Sequence, residues 1–272
     1  MPTTYTRAAL FFAVLLCCSG AAAQTPDRVE ILFLDVGQGD AAVVITPRGH
    51  VALIDAGPDE RTLQLLRDRG ISGIDIIIAS HAHADHIGGM QVIVETLPVR
   101  FYMDNGIPHT TATYRELIQV LYESDIRYLE ATDRNISLGS VNLSIWPPPG
   151  EGDQNVNSIG VLVEYGDFKA LFTGDSEIEE LRHFLARGVP DVTLLKAPHH
   201  GSRDALTPAW LSATQPEVVV VSCGLDNRYG HPHPWALRYY KTVAEQVYRT
   251  DLNGGIKVLG AKDGTYIVET QR

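Results

Sequence analysis

The chain has 272 residues, and its 22 Lys and Arg residues against 33 Asp and Glu residues give a formal net charge of −11 at neutral pH. This acidic balance argues against strong non-specific binding to nucleic acid, because a phosphate backbone attracts basic surfaces. The length is sufficient for one large domain with its own core.

The first predicted element is an export signal. Arg7 precedes an apolar run at 8–16, and the alanines at 21–23 form an Ala-x-Ala cleavage site. The run is too short to span a membrane, and no later segment is long and apolar enough to do so. We therefore predict a signal peptide over residues 1–23, with cleavage between Ala23 and Gln24. The mature protein would be secreted or periplasmic, with a net charge of −12 after the loss of Arg7.

The predicted mature chain keeps one cysteine, Cys223, because Cys17 and Cys18 lie within the signal peptide. An intrachain disulfide is therefore excluded, and stability must come from a core and from bound metal. The proline-rich segment 147–150 interrupts the chain near its middle. We interpret it as a loop within a single domain of residues 24–272, made of two similar halves, rather than as a linker between domains.

Apolar runs rich in β-branched residues alternate with helical patterns along the rest of the chain. Strands are predicted at 29–35, 41–46, 51–55, 74–80, 100–103, 127–129, 141–146, 159–165, 168–173, 192–196, 218–222, 256–259 and 266–269. Helices are predicted at 61–69, 87–96, 111–123, 177–187, 208–213 and 234–246. Two mixed sheets that face each other, with helices outside, would bury all of these runs, so the predicted fold class is α/β.

The most informative motif directly follows the predicted strand at 74–80. It places His81, His83, Asp85 and His86 within six residues. Imidazole and carboxylate are ligand types that zinc prefers, and burying so many polar groups without a metal would be costly. His81 and His83 can point the same way in an extended chain, while Asp85 and His86 turn towards a second point. The spacing predicts two adjacent metals, with a one-metal site as the main alternative.

Two aspartates follow strands in similar local sequences. Asp55 lies in Leu-Ile-Asp-Ala-Gly, and Asp175 lies in Phe-Thr-Gly-Asp. Either could simply belong to a turn or cap a helix. Beside the histidine motif, we favour Asp175 as a bridge between metals. We expect Asp55 to accept the far N–H of a ligating histidine and so to fix its tautomer.

Three further histidines are candidate site residues. His199 and His200 follow the strand at 192–196, and one of them can complete the second metal site. We favour His200, because Gly201 and the serine after it leave room, and the other would be a neighbouring partner or a proton donor. His231, held between Gly and Pro, could donate a proton or bind an anionic group, although a solvated turn is the alternative. We interpret the remaining mature-chain histidines outside this region as surface residues: His50, His109 and His183.

Together these motifs resemble the metallo-β-lactamase superfamily, and most of all the soluble domain of ComEC/Rec2 DNA-uptake proteins. The similarity lies in the segments 34–40, 81–86, 155–158, 173–175, 199–202 and 227–232. The resemblance implies an αββα sandwich with a metal site at one edge of the sheets. By position, it implies these assignments: His81 and His83 on the first metal, Asp85 and one of the paired histidines on the second, and His86 nearby. The superfamily more usually has Asp85 and His86 both on the second metal, Asp175 as a bridge, and Asp55 outside the ligand set.

This chain departs from the family pattern in three ways. Many members carry another histidine ahead of the bridging aspartate, where this chain has Asn155, Asn157 and Ser158. The DNA-uptake relatives often have Asp in the place of His83. Those relatives also attach the domain to a membrane channel, so a role in DNA import does not follow.

The function predicted from these residues is that of a secreted metal-dependent hydrolase. Two zinc ions, with Mn or Fe as alternatives, would activate a hydroxide that Asp85 and Asp175 orient. A phosphodiester, as in a nuclease-like enzyme, is the favoured substrate. Its anionic group would be bound by Asn157, Ser158, Lys196 and His231, with His231 also protonating the leaving group. The alternatives are hydrolysis of a lactone, β-lactam or other ester, and a metal-binding protein without catalysis.

Overall fold

The computed structural model describes residues 27–150 and 152–272. The predicted signal peptide and its cleavage site lie outside these residues. The first half forms strands β1 to β6, which are Arg28–Phe33, Ala42–Ile45, Val51–Ile54, Ile74–Ile78, Val99–Asp104 and Arg127–Glu130. It also forms helices α1 to α4, which are Arg61–Asp68, Ala84–Ile87, Met90–Thr96 and Ala112–Glu123.

The second half forms a similar series of strands and helices, and the chain then returns to the sheet of the first half. Its strands β7 to β13 are Arg134–Leu138, Val141–Trp146, Gly160–Tyr165, Phe168–Phe172, Leu194–Lys196, Val218–Val221 and Gln246–Arg249. Its helices α5 to α8 are Ile178–Arg187, Pro208–Thr214, Pro234–Val243 and Thr250–Asn253. A final hairpin consists of β14 at Ile256–Ala261 and β15 at Tyr266–Thr270.

Two mixed sheets result, with strand orders β15-β14-β1-β2-β3-β4-β5-β6 and β13-β12-β11-β10-β9-β8-β7. In each sheet the earlier strands pair antiparallel and the later ones, from β3 to β6 and from β10 to β13, pair parallel. The two halves therefore share one topology, and the final hairpin completes the first sheet beside β1. The predicted αββα sandwich is confirmed.

The core has three layers because both faces of each sheet are buried. Along β9, Val161 and Val163 point between the sheets, while Leu162 points outwards to the helices of the second half. The side chains of α1 and α3, such as Leu66 and Ile93, cover the outer face of the first sheet. Burial on both faces explains why these strands read as continuous apolar runs rather than as alternating ones.

The structure corrects the prediction at three elements and adds the short helix α8, which was not predicted. The helix predicted at 234–246 ends at Val243, and Gln246–Arg249 forms β13 at a sheet edge. The helix predicted at 87–96 begins earlier and is divided into α2 and α3. Strand β7 was not predicted, because its residues are mostly polar and it lies at the other edge of the same sheet. None of the helices in the described residues is long and apolar enough to cross a bilayer.

Candidate metal centre

The histidine motif lies in the short connection between β4 and α3. His83 is the extended residue that precedes α2, and Asp85 and His86 lie on the single turn of that helix. Gly88 and Gly89 allow this turn to press against the loop after β3. A Cβ on Gly88 would lie 2.1 Å from Pro58 O, and a Cβ on Gly89 would lie 2.4 Å from a neighbouring carbonyl oxygen. The close backbone approach brings His86 to the end of β3.

Four side chains from three separate loops converge at this edge of the sandwich. They are Asp85, His86, Asp175 and His200, and one donor atom from each lies within 4.8 Å of the others. His86 Nε2 lies 3.2 Å from Asp175 Oδ1, and His200 Nε2 lies 3.4 Å from Asp175 Oδ2. His200 Nε2 also lies 3.5 Å from Asp85 Oδ2. We call these residues the four-residue cluster.

The donor atoms of the four-residue cluster fit a divalent metal ion. His86 Nε2, His200 Nε2 and Asp175 Oδ1 are buried, and none has a partner in hydrogen-bonding geometry. Their nearest partners are one another, at ion-pair distances of 3.2 and 3.4 Å, and polar groups brought so close together in a buried site fit a shared cation. Burial lowers the pKa of both histidines, but the surrounding carboxylates, Asp175 above all, raise it well above its ordinary value. The site therefore favours positive charge, and its imidazole and carboxylate donors suit zinc.

The far nitrogens of the two cluster histidines have partners. His86 Nδ1 lies 2.8 Å from Asp55 Oδ2, and Asp55 also accepts hydrogen bonds of 2.7 Å from Ser80 N and Ser80 Oγ. His200 Nδ1 lies 3.0 Å from Ser222 O and 3.3 Å from Asp40 Oδ1. Such contacts orient each ring so that its Nε2 faces the cluster.

Asp40 is a site residue that the sequence reasoning missed. It is buried, its carboxylate contacts the ammonium of Lys196, and it lies 3.8 Å from His86 Nδ1. Burial raises the pKa of Asp40, but Lys196 and His200 outweigh it and lower the value to about 2. The available signal in the sequence was the pair of glycines at 37 and 39 just before Asp40; in the structure a Cβ added to Gly39 would lie 2.3 Å from Asp85 O.

Three of the residues predicted to bind substrate are buried inside the protein. Lys196 is 2% exposed, contacts Asp40 and donates to Gly174 O at 3.1 Å. Asn157 donates to Asp153 O, and Ser158 Oγ accepts a 3.1 Å hydrogen bond from Asp175 N. These groups have internal partners and do not line the cleft over the cluster. The prediction that they contact substrate is therefore corrected: they support the residues of the site.

His81 and His83 form a pair beside the cluster. His81 Nε2 lies 3.0 Å from His83 Nδ1, and the rings of His81 and His86 are 4.2 Å apart. Burial holds the pKa of His81 well below its ordinary value and lowers that of His83 less strongly, so both favour the neutral form that binds metal. Among the described residues, this pair belongs to no group of three close donors.

A cleft of about 380 Å³ opens over the cluster. Its lining is Gln38, His83, Ala84, Asp85, His109, Thr111, Asn155, Asp175, His199, His200, Tyr229 and His231. His199 Nε2 lies 3.7 Å from Asp175 Oδ2, and His199 is not a member of the four-residue cluster, which contains His200. His109 was predicted to be an ordinary surface residue; it is half-buried, lines the cleft and has its ring 5.7 Å from that of His83.

His231 lies at the side of the cleft, with its ring 6.3 Å from that of His200. Burial and the nearby His199 and His200 lower the pKa of His231 to about 4. The imidazole is therefore neutral near pH 7. A neutral ring can donate a hydrogen bond to an anionic group.

Comparisons with known proteins agree with this geometry. The sequence profile of the metallo-beta-lactamase superfamily matches residues 34–224, more than half of the chain. The chain belongs to this superfamily. Solved structures of the same fold include a metal-dependent hydrolase, a diiron β-hydroxylase and a zinc-bound protein.

Three matches illustrate the range of relatives. The chain is 27% identical to ComE operon protein 3 of Bacillus subtilis over 84% of its own length and 32% of the relative's. It is 26% identical to endoribonuclease ysh-1 of Neurospora crassa over 59% of its length and 22% of the relative's. The structure of Zn(2+)-bound PqqB from Methylobacterium extorquens matches with a TM-score of 0.55 at 10% identity, covering 80% of this chain and 97% of that one. The chain thus spans about a third of ComE operon protein 3, so activities of that whole protein do not transfer to it.

Proposed function

We propose that this protein is a metal-dependent phosphodiesterase with a nuclease-like choice of substrate. The observation that carries the proposal is the convergence of two buried imidazole nitrogens and a buried carboxylate oxygen, which face one another at 3.2 to 3.4 Å beneath an open cleft. The resemblance to an endoribonuclease supports a phosphodiester rather than a carboxylic ester as the substrate.

The proposed cofactor is zinc, in two ions. The four-residue cluster would hold one ion, and His81 with His83 would contribute to the other, with Asp175 between them. Bound zinc supplies Lewis acidity towards a phosphoryl oxygen and lowers the pKa of water. Imidazoles outnumber carboxylates among these six proposed ligands, which favours zinc or iron over Mn, and zinc is the ion proposed here.

The protein's own residues position the reacting groups. Asp55 and Ser80 orient His86, while Asp40 and Ser222 O orient His200, so both rings are held before substrate arrives. The buried Lys196 ammonium neutralises Asp40 and limits the negative charge beneath the cleft. His231 would donate a hydrogen bond to a phosphoryl oxygen or to the leaving oxygen.

The decisive experiment combines metal analysis with a substrate panel. The purified protein is dialysed against chelator, reloaded with Zn²⁺, Mn²⁺ or Fe²⁺, and assayed on bis-(p-nitrophenyl) phosphate, a lactone and nitrocefin. We expect chelation to abolish phosphodiester cleavage and zinc to restore it. Turnover of the lactone or of nitrocefin without phosphodiester cleavage would overturn the proposed substrate. Bound metal without turnover of any of the three would instead indicate a non-catalytic protein.

We also propose that the protein is exported. The support is the arginine at position 7, the apolar run at 8–16 and the Ala-x-Ala sequence at 21–23. N-terminal sequencing of protein recovered from the periplasm or medium should begin at Gln24. Recovery of the full chain from the cytoplasm alone would refute export.

A further inference from the structure

The loop between β12 and α7 presents a rigid tip beside the cleft. Asn227 Nδ2 donates to Gly224 O at 2.9 Å and also to His231 O, and Asn227 Oδ1 accepts from His231 N at 3.0 Å. One side chain thus bonds both ends of the loop. Arg228 and Tyr229 lie at the exposed tip that this clamp holds in place.

The tip extends a row of rings outwards from the metal centre. The Tyr229 ring lies 5.9 Å from that of His231 at an interplanar angle of 23°, and His231 lies 6.3 Å from His200 at 28°. The Tyr229 residue remains 52% exposed, with the His231 ring and the Arg228 guanidinium as the neighbours of its ring. An aromatic ring at this position offers a flat apolar surface beside the reacting centre.

Arg228 adds a positive charge to the same tip. Its guanidinium lies 4.9 Å from the centre of the Tyr229 ring, and its Nη2 donates to the tyrosine hydroxyl at 2.7 Å. The bonded Tyr229 hydroxyl raises the pKa of Arg228, and Asp85 adds to the rise. Tyr229 therefore orients Arg228 before a ligand binds.

Arg228 brings a positive charge to the rim of the cleft, because it is bonded to the lining residue Tyr229. Neither lysine nor arginine is found among the described residues that line the cleft, and the nearby Lys196 is buried against Asp40. Because the whole chain carries a net charge of −11, long-range attraction does not help an anionic substrate to bind. Binding must then depend on local contacts at the rim.

We propose that Arg228 and Tyr229 bind one nucleotide unit next to the scissile bond, with the base against the Tyr229 ring and a phosphate paired with Arg228. This inference rests on the proposed phosphodiesterase function and names its substrate class as a single-stranded oligonucleotide. Aromatic side chains stack on bases with little sequence preference, so cleavage should be tolerant of sequence.

The test compares a short oligothymidylate with an abasic chain of the same length and phosphate number. Zinc-loaded full chain should show a lower KM for the oligothymidylate, by about fivefold or more, which is the lower range for one base–aromatic stack. Tyr229→Ala should bring the ratio of the two KM values close to one. Tyr229→Phe, which retains the ring, should preserve the ratio, and so should the control Tyr122→Ala at an exposed tyrosine of α4.

Arg228 is tested separately through salt dependence. Arg228→Gln should raise the KM for both chains and reduce the slope of log KM against log salt by about 0.7, the value for one contact with a single strand. The control Arg67→Gln, at an exposed position near the end of α1, should leave the slope unchanged. An unchanged slope in Arg228→Gln would overturn the phosphate contact.

Equilibrium binding separates failure of this inference from failure of the proposed function. Fluorescence anisotropy with labelled oligothymidylate and abasic chains is measured in the presence of chelator, where turnover is blocked. A binding preference that Tyr229→Ala abolishes, without cleavage by the zinc-loaded protein, would support the nucleotide site and refute the phosphodiesterase. Cleavage of both chains with equal KM values, or a preference that survives in Tyr229→Ala, would refute the nucleotide site alone.

Discussion

The four-residue cluster and the His81–His83 pair contain similar donors a few ångströms apart, yet they are built differently. The cluster draws on the loops after β4, β10 and β11, and the far nitrogens of its histidines contact Asp55, Asp40 and Ser222 O. The pair comes from one extended segment, and its two rings contact each other at 3.0 Å. The far nitrogens of the cluster histidines contact carboxylates and a carbonyl, whereas His81 Nδ1 lies 3.1 Å from Ser80 Oγ and 3.5 Å from Ser158 Oγ, so the pair is supported by neutral hydroxyl groups.

The largest effect is expected from Asp175→Asn, because this carboxylate approaches both cluster histidines. The change keeps the side-chain volume but removes the charge, and we expect metal affinity to fall by more than about a hundredfold, beyond the loss seen when only a supporting partner is removed. Phosphodiester cleavage should be lost with it. Metal content measured by mass spectrometry and a thermal melt of the loaded protein provide the check. Asp191→Asn, at an aspartate whose side chain is 75% exposed, is the matched control.

An intermediate effect is expected from Asp55→Asn. This side chain does not belong to the four-residue cluster but contacts His86 Nδ1, so we expect zinc affinity to fall by about 10–100-fold. Competition with a zinc-binding dye measures the change. Unchanged zinc affinity would mean that the four-residue cluster binds metal without the contact from Asp55. The contrast drawn between the cluster and the His81–His83 pair would then be wrong.

A smaller effect is expected from His231→Gln, which keeps a hydrogen-bond donor but removes the imidazole. We expect kcat to fall about tenfold, the value of one hydrogen bond to a charged group. Because the pKa of His231 is lowered to about 4, the ring loses its proton as the pH rises through that value and is neutral above it. The ratio of wild-type to variant kcat should therefore stay constant above about pH 5 and change only below it. A ratio that changes near pH 7 would instead indicate a protonated general acid.

The smallest effect is expected from His83→Ala, measured on the ion that the four-residue cluster would hold. The four-residue cluster is left intact, so its affinity should change by less than the tenfold lower limit expected for Asp55→Asn. The metal content should fall from two ions towards one. Loss of both ions would show that the pair and the cluster form one interdependent centre.

Much of the fold could be predicted from local patterns. Strands buried on both faces, such as Val218–Val221, are unambiguous apolar runs bounded by turn residues. The edges of the second sheet were harder: β7 carries mainly polar residues, and β13 was merged with the preceding helix. An edge strand has one unpaired side and is less buried, so its sequence carries a weaker signal.

The candidate site was predictable where its residues are adjacent in sequence. Spacing alone indicated His81, His83, Asp85 and His86 as a donor group. Lys196 was mistaken for a substrate contact, because its sequence does not reveal the buried Asp40 beside it. His109 was dismissed because its neighbour His83 is 26 positions earlier in the chain and only the fold brings their rings together.

The sequence by itself indicated the donor groups of this protein: imidazoles and carboxylates placed directly after buried strands. The tertiary structure decided which of these groups form one centre, because the donor atoms of Asp85, Asp175 and His200 meet only when the two sheets pack. It also separated buried supports from exposed contacts, a distinction that local sequence does not carry. Burial and proximity across loops are properties of the whole fold. They show that Lys196 is buried beneath the site, whereas Arg228 is exposed at its rim.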